Sequence, residues 1–426
     1  MLPHVQLGER TARVVRVIRV VGPYLYVGSF RADELAQRFG TPLYVYDLEV
    51  VEENYRRLVS SFPYRDLEVL YSCKANNNVD VLRTLRDLGA GLDAVSPWEV
   101  LLGIRLGFPR ERILFTGSSV SDEEMRFVRE LGVLINVDSL SQLRRYGRMY
   151  PGTEVSIRVN PGIGAGHHGY AVTGGVTKFG IYLDQLGRAL DIAREYDLRV
   201  VGLHAHIGSG VLSPEPYLRT LEVLLSVARR LSSLEFVDIG GGFGVPYRPD
   251  EEPLDIAYLG SRVSEILEEF ERGYHHLKLR VEPGRYLVAS AGVLLVRVVD
   301  IKEVEVGGVR RVFVGVDSGM NHLIRPALYG AYHEVVAATK ADQPRELVAD
   351  VVGNICESGD VLATEAKLPR LEEGDVLAIM NAGAYGYSMS SNYNMRPRPA
   401  EVVVRGSEVR LSRRRETFED LVSLFT

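Results

Sequence analysis

From about residue 65 the chain alternates short apolar runs with longer stretches whose apolar positions recur every three to four residues. The short runs, at 67–73, 91–95, 112–116, 133–137, 154–160, 200–207, 235–239 and 277–282, are continuous rather than alternating. That pattern predicts strands covered on both faces. The longer stretches predict helices, among them 79–88, 122–131, 140–150, 183–196, 216–231 and 256–272. Ser121-Asp122-Glu123-Glu124 places a capping hydroxyl and three acids where one of these begins. Eight strands, each but the last followed by a helix, is the count of a (β/α)₈ barrel of the TIM type, with the closing helix supplied from elsewhere. A doubly wound open sheet is the alternative. It has no reason to stop at eight strands and would gather its chemistry near one switch point.

After about residue 290 the pattern changes. Apolar runs at 293–301, 304–306, 309–316, 347–352, 376–380 and 401–405 follow one another with almost no helical stretch between them, and Gly307-Gly308 is a hairpin signal. This predicts a C-terminal all-β domain, a sandwich or barrel, and makes the chain an α/β protein with a β-rich second half. Runs at 11–21 and 25–27 also read as strands and predict that the N-terminus joins that domain. The expected division is therefore 1–43, 44–290 and 291–426.

Composition narrows the classes. A net charge of −6 gives no basic balance toward nucleic acid or an anionic membrane. Two cysteines, Cys73 and Cys356, make no disulfide framework and suit a reducing cytoplasm. No stretch approaches the roughly 20 apolar residues of a membrane span, and the first residues lack the apolar core of a signal peptide.

In such a barrel the chemistry lies where strands end. Here the ends are Lys74-Ala75-Asn76, Asp93-Ala94-Val95-Ser96, Arg158-Val159-Asn160-Pro161, His204-Ala205-His206, Asp238-Ile239-Gly240-Gly241-Gly242 and Glu282-Pro283-Gly284-Arg285. Lys74 is one of only six lysines in the chain, and an amine at a strand end can bond covalently to a carbonyl cofactor. Gly240–Gly242 and Gly284-Arg285 are the loops after strands seven and eight, which bind phosphate in many barrels. Glu282 suits a carboxylate held ionised against a heterocycle nitrogen, or else a buried ion pair with Arg285. His204 and His206 both lie on strand six, and one is expected to face the barrel mouth and the other to pack against the outer helices. His-x-His alone is weak evidence for a metal, and none is expected. His167-His168, in a glycine-rich loop, is expected at the surface. Lysine, phosphate loops and a strand-end carboxylate together describe a site for pyridoxal 5′-phosphate.

The same residues resemble a known family, the fold-type III pyridoxal-phosphate decarboxylases. The motifs are Tyr71-Ser72-Cys73-Lys74-Ala75-Asn76, His204-Ala205-His206-Ile207-Gly208-Ser209, Gly240-Gly241-Gly242-Phe243-Gly244, Glu282-Pro283-Gly284-Arg285, Cys356-Glu357-Ser358-Gly359-Asp360 and Gly383-Ala384-Tyr385-Gly386. Two further runs, 317–329 and 387–394, are similar to the diaminopimelate branch of that family. The resemblance implies a carboxy-lyase of lysine biosynthesis, with Lys74 as the Schiff-base lysine and Cys356 as proton donor. It implies that Asp93, His206, Ser209, Gly241, Gly242, Glu282, Gly284, Arg285 and Tyr385 meet the cofactor, with His206 stacked on its ring. Arg285, Arg325, Tyr329, Glu357 and Tyr385 would meet an amino-acid substrate. It also implies a homodimer in which Cys356 and Glu357 come from the second copy. An arginine clamp suits a substrate with two acid ends, because guanidinium pairs bidentately with carboxylate. Other readings are a carboxynorspermidine, ornithine or lysine decarboxylase, a racemase, or a non-catalytic cofactor carrier. Ser72-Cys73, Pro97-Trp98 and Asn381 depart from the family's usual residues.

Overall fold

The computed structural model describes residues 18–426. Eight parallel strands form one closed barrel: β1 (Leu67–Ser72), β2 (Gly91–Ala94), β3 (Ile113–Phe115), β4 (Leu134–Val137), β5 (Glu154–Asn160), β6 (Arg199–His204), β7 (Phe236–Gly241) and β8 (Lys278–Glu282). They pair in sequence order, and β8 closes on β1 with Leu279 opposite Leu67. The strands are buried along nearly their whole length, as continuous apolar runs require. The helix Asp122–Glu130 opens on a capping box in which Ser121 and Glu124 satisfy each other's backbone amides. No long helix follows β8. The helix Leu48–Ser61, which precedes β1, fills that place against Val79–Asp87 and Ile256–Glu271. Its Asn54 donates to the Leu287 carbonyl after β8 at 3.1 Å.

The second sheet is largely antiparallel and is built around the strand Gly292–Val306. The sequence breaks this strand in two because Lys302 and Glu303 interrupt the apolar run, but across the hairpin at Gly307-Gly308 its residues 298–306 pair with Val309–Val316, with one irregularity between Val298 and Asp300. Strands Val361–Leu368 and Glu408–Arg413 carry little apolar periodicity and gave no signal. Strand Leu43–Asp47 pairs with Gly292–Val306 on one side and Ala400–Arg405 on the other, so the chain crosses from this sheet into the barrel at Leu48.

Of the expected N-terminal strands, residues 11–17 lie outside the described residues. Arg19–Val21, Tyr24–Val27 and Phe30–Arg31 form a meander of their own. Leu25 and Val27 share a core with Val293, Leu295 and Val402 of the large sheet.

Two loops tie the sheet to the barrel mouth. The Tyr385 amide donates to the Ala75 carbonyl at 2.8 Å, and Asn76 Nδ2 donates to the Gly383 carbonyl at 2.9 Å. The residue next to Lys74 is thus anchored from the other domain. Asn381 and Tyr385 both have positive φ, 53° and 56°. Asparagine adopts that conformation with little strain, which suits position 381. For Tyr385 it is a strained conformation, held by the bond to Ala75.

Candidate active site

The carboxyl ends of the strands surround a cavity of about 350 Å³. Lys74, His206, Ser209 and Tyr385 line it, and so do Arg285, Arg325 and Tyr329. Lys74 is held by Asp93, whose Oδ2 lies 2.6 Å from Nζ and also accepts from Ser72 Oγ at 2.8 Å. The register of β1 and β2 sets Ser72 opposite Asp93 and so builds this contact. Ser72, one of the departures from the family pattern, therefore supports the carboxylate under the lysine. Burial works against the ammonium, but Asp93 and then Tyr385 and Glu282 outweigh it and raise the Lys74 pKa.

Glu282 is 3% exposed at the end of β8. It does not pair with Arg285. Its Oε2 accepts from His204 Nε2 at 3.0 Å, while Oε1 is buried without a partner. Burial pushes this carboxyl up, but His204, by charge and hydrogen bond, and then Lys74 pull it down to about 2. An ionised carboxylate with one free buried oxygen suits a protonated ring nitrogen.

The histidines differ from the expected alternation. His204 points into the barrel, and His206 also faces the cavity. The reason is that side chains two apart on a strand lie on the same face, so the alternation separates neighbours and not His204 from His206. His206 Nδ1 accepts from the Gly241 amide at 3.1 Å, leaving the ring proton on Nε2. Burial, then Lys74 and Arg158, hold its pKa well below the ordinary value. His167, expected at the surface, is exposed yet forms part of the cavity wall, with Nδ1 2.7 Å from the Ser209 carbonyl.

Gly240 and Gly242 have φ of 72° and 88°. A Cβ on Gly242 would run into the Gly208 carbonyl, and one on Gly241 into that of Glu282. This close backbone packing is what a phosphate-binding loop needs. Next to it Arg285 donates to Ser209 Oγ at 2.9 Å and to the Tyr247 hydroxyl at 2.8 Å. Arg285 and Arg325 are 5% and 1% exposed, and among the described residues neither forms an ion pair.

Asp238 joins His204 and Glu282, with ligand atoms all within 4.8 Å. Burial and then Glu282 hold Asp238 well above the carboxylate range.

Cys356 and Glu357 are not in this cavity. Both are exposed, Cys356 Sγ lying 3.2 Å from Asn394 Nδ2 and Glu357 accepting from the Tyr393 hydroxyl. Trp98 is 71% exposed, whereas Val95, close before it, reaches the cavity rim. Sequence reasoning assigned no role to Thr116, Ser118, Phe179, Tyr247 or His333. None sits beside a strand-end motif except Thr116, and only the fold brings them near. Arg158 was visible at the end of β5. It is buried, 3.5 Å from Asp138 and with Cζ 4.6 Å from the Phe179 ring centre.

The chain is similar to known proteins. Residues 48–289 match the pyridoxal-binding domain of the pyridoxal-dependent decarboxylases. A diaminopimelate decarboxylase of Methanothermobacter thermautotrophicus is 48% identical over 411 residues, 94% of this chain and 95% of that protein. That of Pseudomonas aeruginosa is 41% identical over 409 residues, 93% and 95% of the two. The solved structure of the M. jannaschii diaminopimelate decarboxylase in complex with L-lysine superposes with a TM-score of 0.88 at 33% identity, covering 97% of this chain and 98% of that one.

Proposed function

The chain belongs to the pyridoxal-dependent decarboxylases, within them to the diaminopimelate decarboxylase family, and we propose that its cavity removes one carboxyl group of meso-2,6-diaminopimelate to give CO₂ and L-lysine. Pyridoxal 5′-phosphate, when bound, supplies an aldehyde for covalent attachment and an electron-withdrawing ring that takes up the electron pair left by CO₂. Lys74 would hold it covalently through Nζ. Glu282, with its free Oε1, would face the ring nitrogen and keep it protonated. Neutral His206 would lie against the ring, and Asp93 orients Lys74. The amides and hydroxyl of Gly242, Gly284 and Ser209 would receive the phosphate. The Gly241 amide already serves His206, so its part is to orient that imidazole.

One observation carries the substrate reading: two buried guanidiniums line the same cavity as Lys74, and among the described residues neither has a carboxylate partner. A substrate without a second carboxylate would leave both buried cations unpaired, which is costly. That favours diaminopimelate over ornithine or lysine. Tyr329 and Tyr385 complete the wall around it. Cys356 and Glu357 act from a second copy of this chain, Glu357 receiving the distal ammonium and Cys356 giving the proton that replaces CO₂. The working form is then a homodimer in the cytoplasm. Among the described residues no helix is long and apolar enough to cross a membrane.

Arg325→Ala tests the clamp. It should raise KM for diaminopimelate by the equivalent of about 2–5 kcal/mol, with the cofactor absorbance unchanged. An unaltered KM would reject this use of Arg325.

A further inference from the structure

His333 lies outside the motifs and does not line the cavity, yet it is the partner of the clamp arginine. It is 1% exposed. Its Nδ1 stands 2.7 Å from the Met380 carbonyl, which can only accept, so Nδ1 carries the proton. Its Nε2 stands 2.7 Å from Arg325 Nη1, and a guanidinium can only donate, so Nε2 offers its lone pair. The two partners fix the same tautomer. Tyr247 completes the support. Its ring is 5.3 Å from that of His333 at 80°, Arg325 Cζ lies 4.5 Å from its centre, and its hydroxyl accepts from Arg285.

We infer that His333 is a positioning residue for substrate specificity: it holds Arg325 through an uncharged acceptor, fixing the guanidinium without cancelling its charge. A carboxylate in its place would pair bidentately with Arg325 and compete with the substrate's own carboxylate. Burial, followed by the nearby Arg325, lowers the His333 pKa to about 3, so the imidazole remains neutral at working pH. The Arg325 Nε has no protein partner, leaving a donor for a ligand. The inference rests on the reading that Arg325 receives the distal carboxylate.

The test uses holoenzyme carrying H333Q, H333L or H333E. L-Lysine and cadaverine, which differ only by a carboxylate, are titrated by calorimetry alongside steady-state kinetics with diaminopimelate. The wild-type enzyme should prefer L-lysine. H333Q, which keeps an acceptor oxygen, should retain that preference within about threefold, whereas H333L should lose roughly tenfold. H333E should abolish the preference by pairing with Arg325 itself. In kinetics the loss should fall on KM, with kcat nearly constant. Equal preference in wild type, H333L and H333E, or a loss confined to kcat, would overturn the role of His333. Absence of any preference in the wild-type enzyme would instead overturn the clamp reading and this inference with it. The H333Q and H333L pair introduces no charge, so it decides the matter even if H333E does not fold.

Discussion

Glu282 shows how a residue's surroundings decide its chemistry. A buried carboxyl normally becomes neutral. Here His204 donates to one oxygen, Lys74 adds positive charge, and the carboxylate stays ionised with its second oxygen free. Glu282→Gln keeps the shape and removes the charge, and should lower kcat by about 10²-fold or more while the protein remains folded. A kcat within a few-fold of wild type would show that the carboxylate is not what holds the ring nitrogen protonated. The charge also has a stability signature. Because folding depresses this pKa from about 4.5 to about 2, its contribution is complete above the unfolded value and is lost as pH falls through that window. Cofactor-free wild-type protein should therefore lose more thermal stability between pH 5 and pH 2 than Glu282→Gln does. Lys74 and Glu282 were legible because strand ends are recognisable from apolar runs. His333 was not, since its role depends on Arg325 and Met380, eight and 47 residues away along the chain.

Among the elements, the glycine loop after β7 is a tightly constrained part of the site. Gly242 combines a φ of 88° with contact against the Gly208 carbonyl. Gly242→Ala should weaken cofactor binding at least roughly tenfold, because backbone strain of about 1–3 kcal/mol falls on the phosphate side. Equilibrium dialysis of the cofactor, set beside the melting temperature of the cofactor-free protein, separates this from general unfolding. Unchanged affinity would remove the loop from the phosphate site. The barrel strands were readable because burial on both faces leaves continuous apolar runs. Strands such as Val361–Leu368 were not, because one wet face and residues like Glu365 and Lys367 erase the period. The histidine pair was misplaced for a different reason: strand alternation separates neighbours, and residues two apart share a face.

At the scale of the whole molecule, the second domain does more than pack. Through Tyr385 and Gly383 it fixes the backbone beside Lys74, and through Arg325 it supplies part of the cavity wall. Yet it leaves Cys356 and Glu357 exposed, away from that cavity. If two copies share each site, Lys74→Ala and Cys356→Ala should both be nearly inactive alone. Dissociated, mixed and reassociated, they should recover about a quarter of wild-type activity, because half the dimers are mixed and each has one intact site. No recovery would place Cys356 outside the partner's site. The most direct test of the central claim is product identification after incubation with a panel of amino acids. Holoenzyme should convert meso-2,6-diaminopimelate to CO₂ and L-lysine in equal amounts and leave L-ornithine and L-lysine essentially untouched. Comparable turnover of either of those two, or none of diaminopimelate, would contradict it.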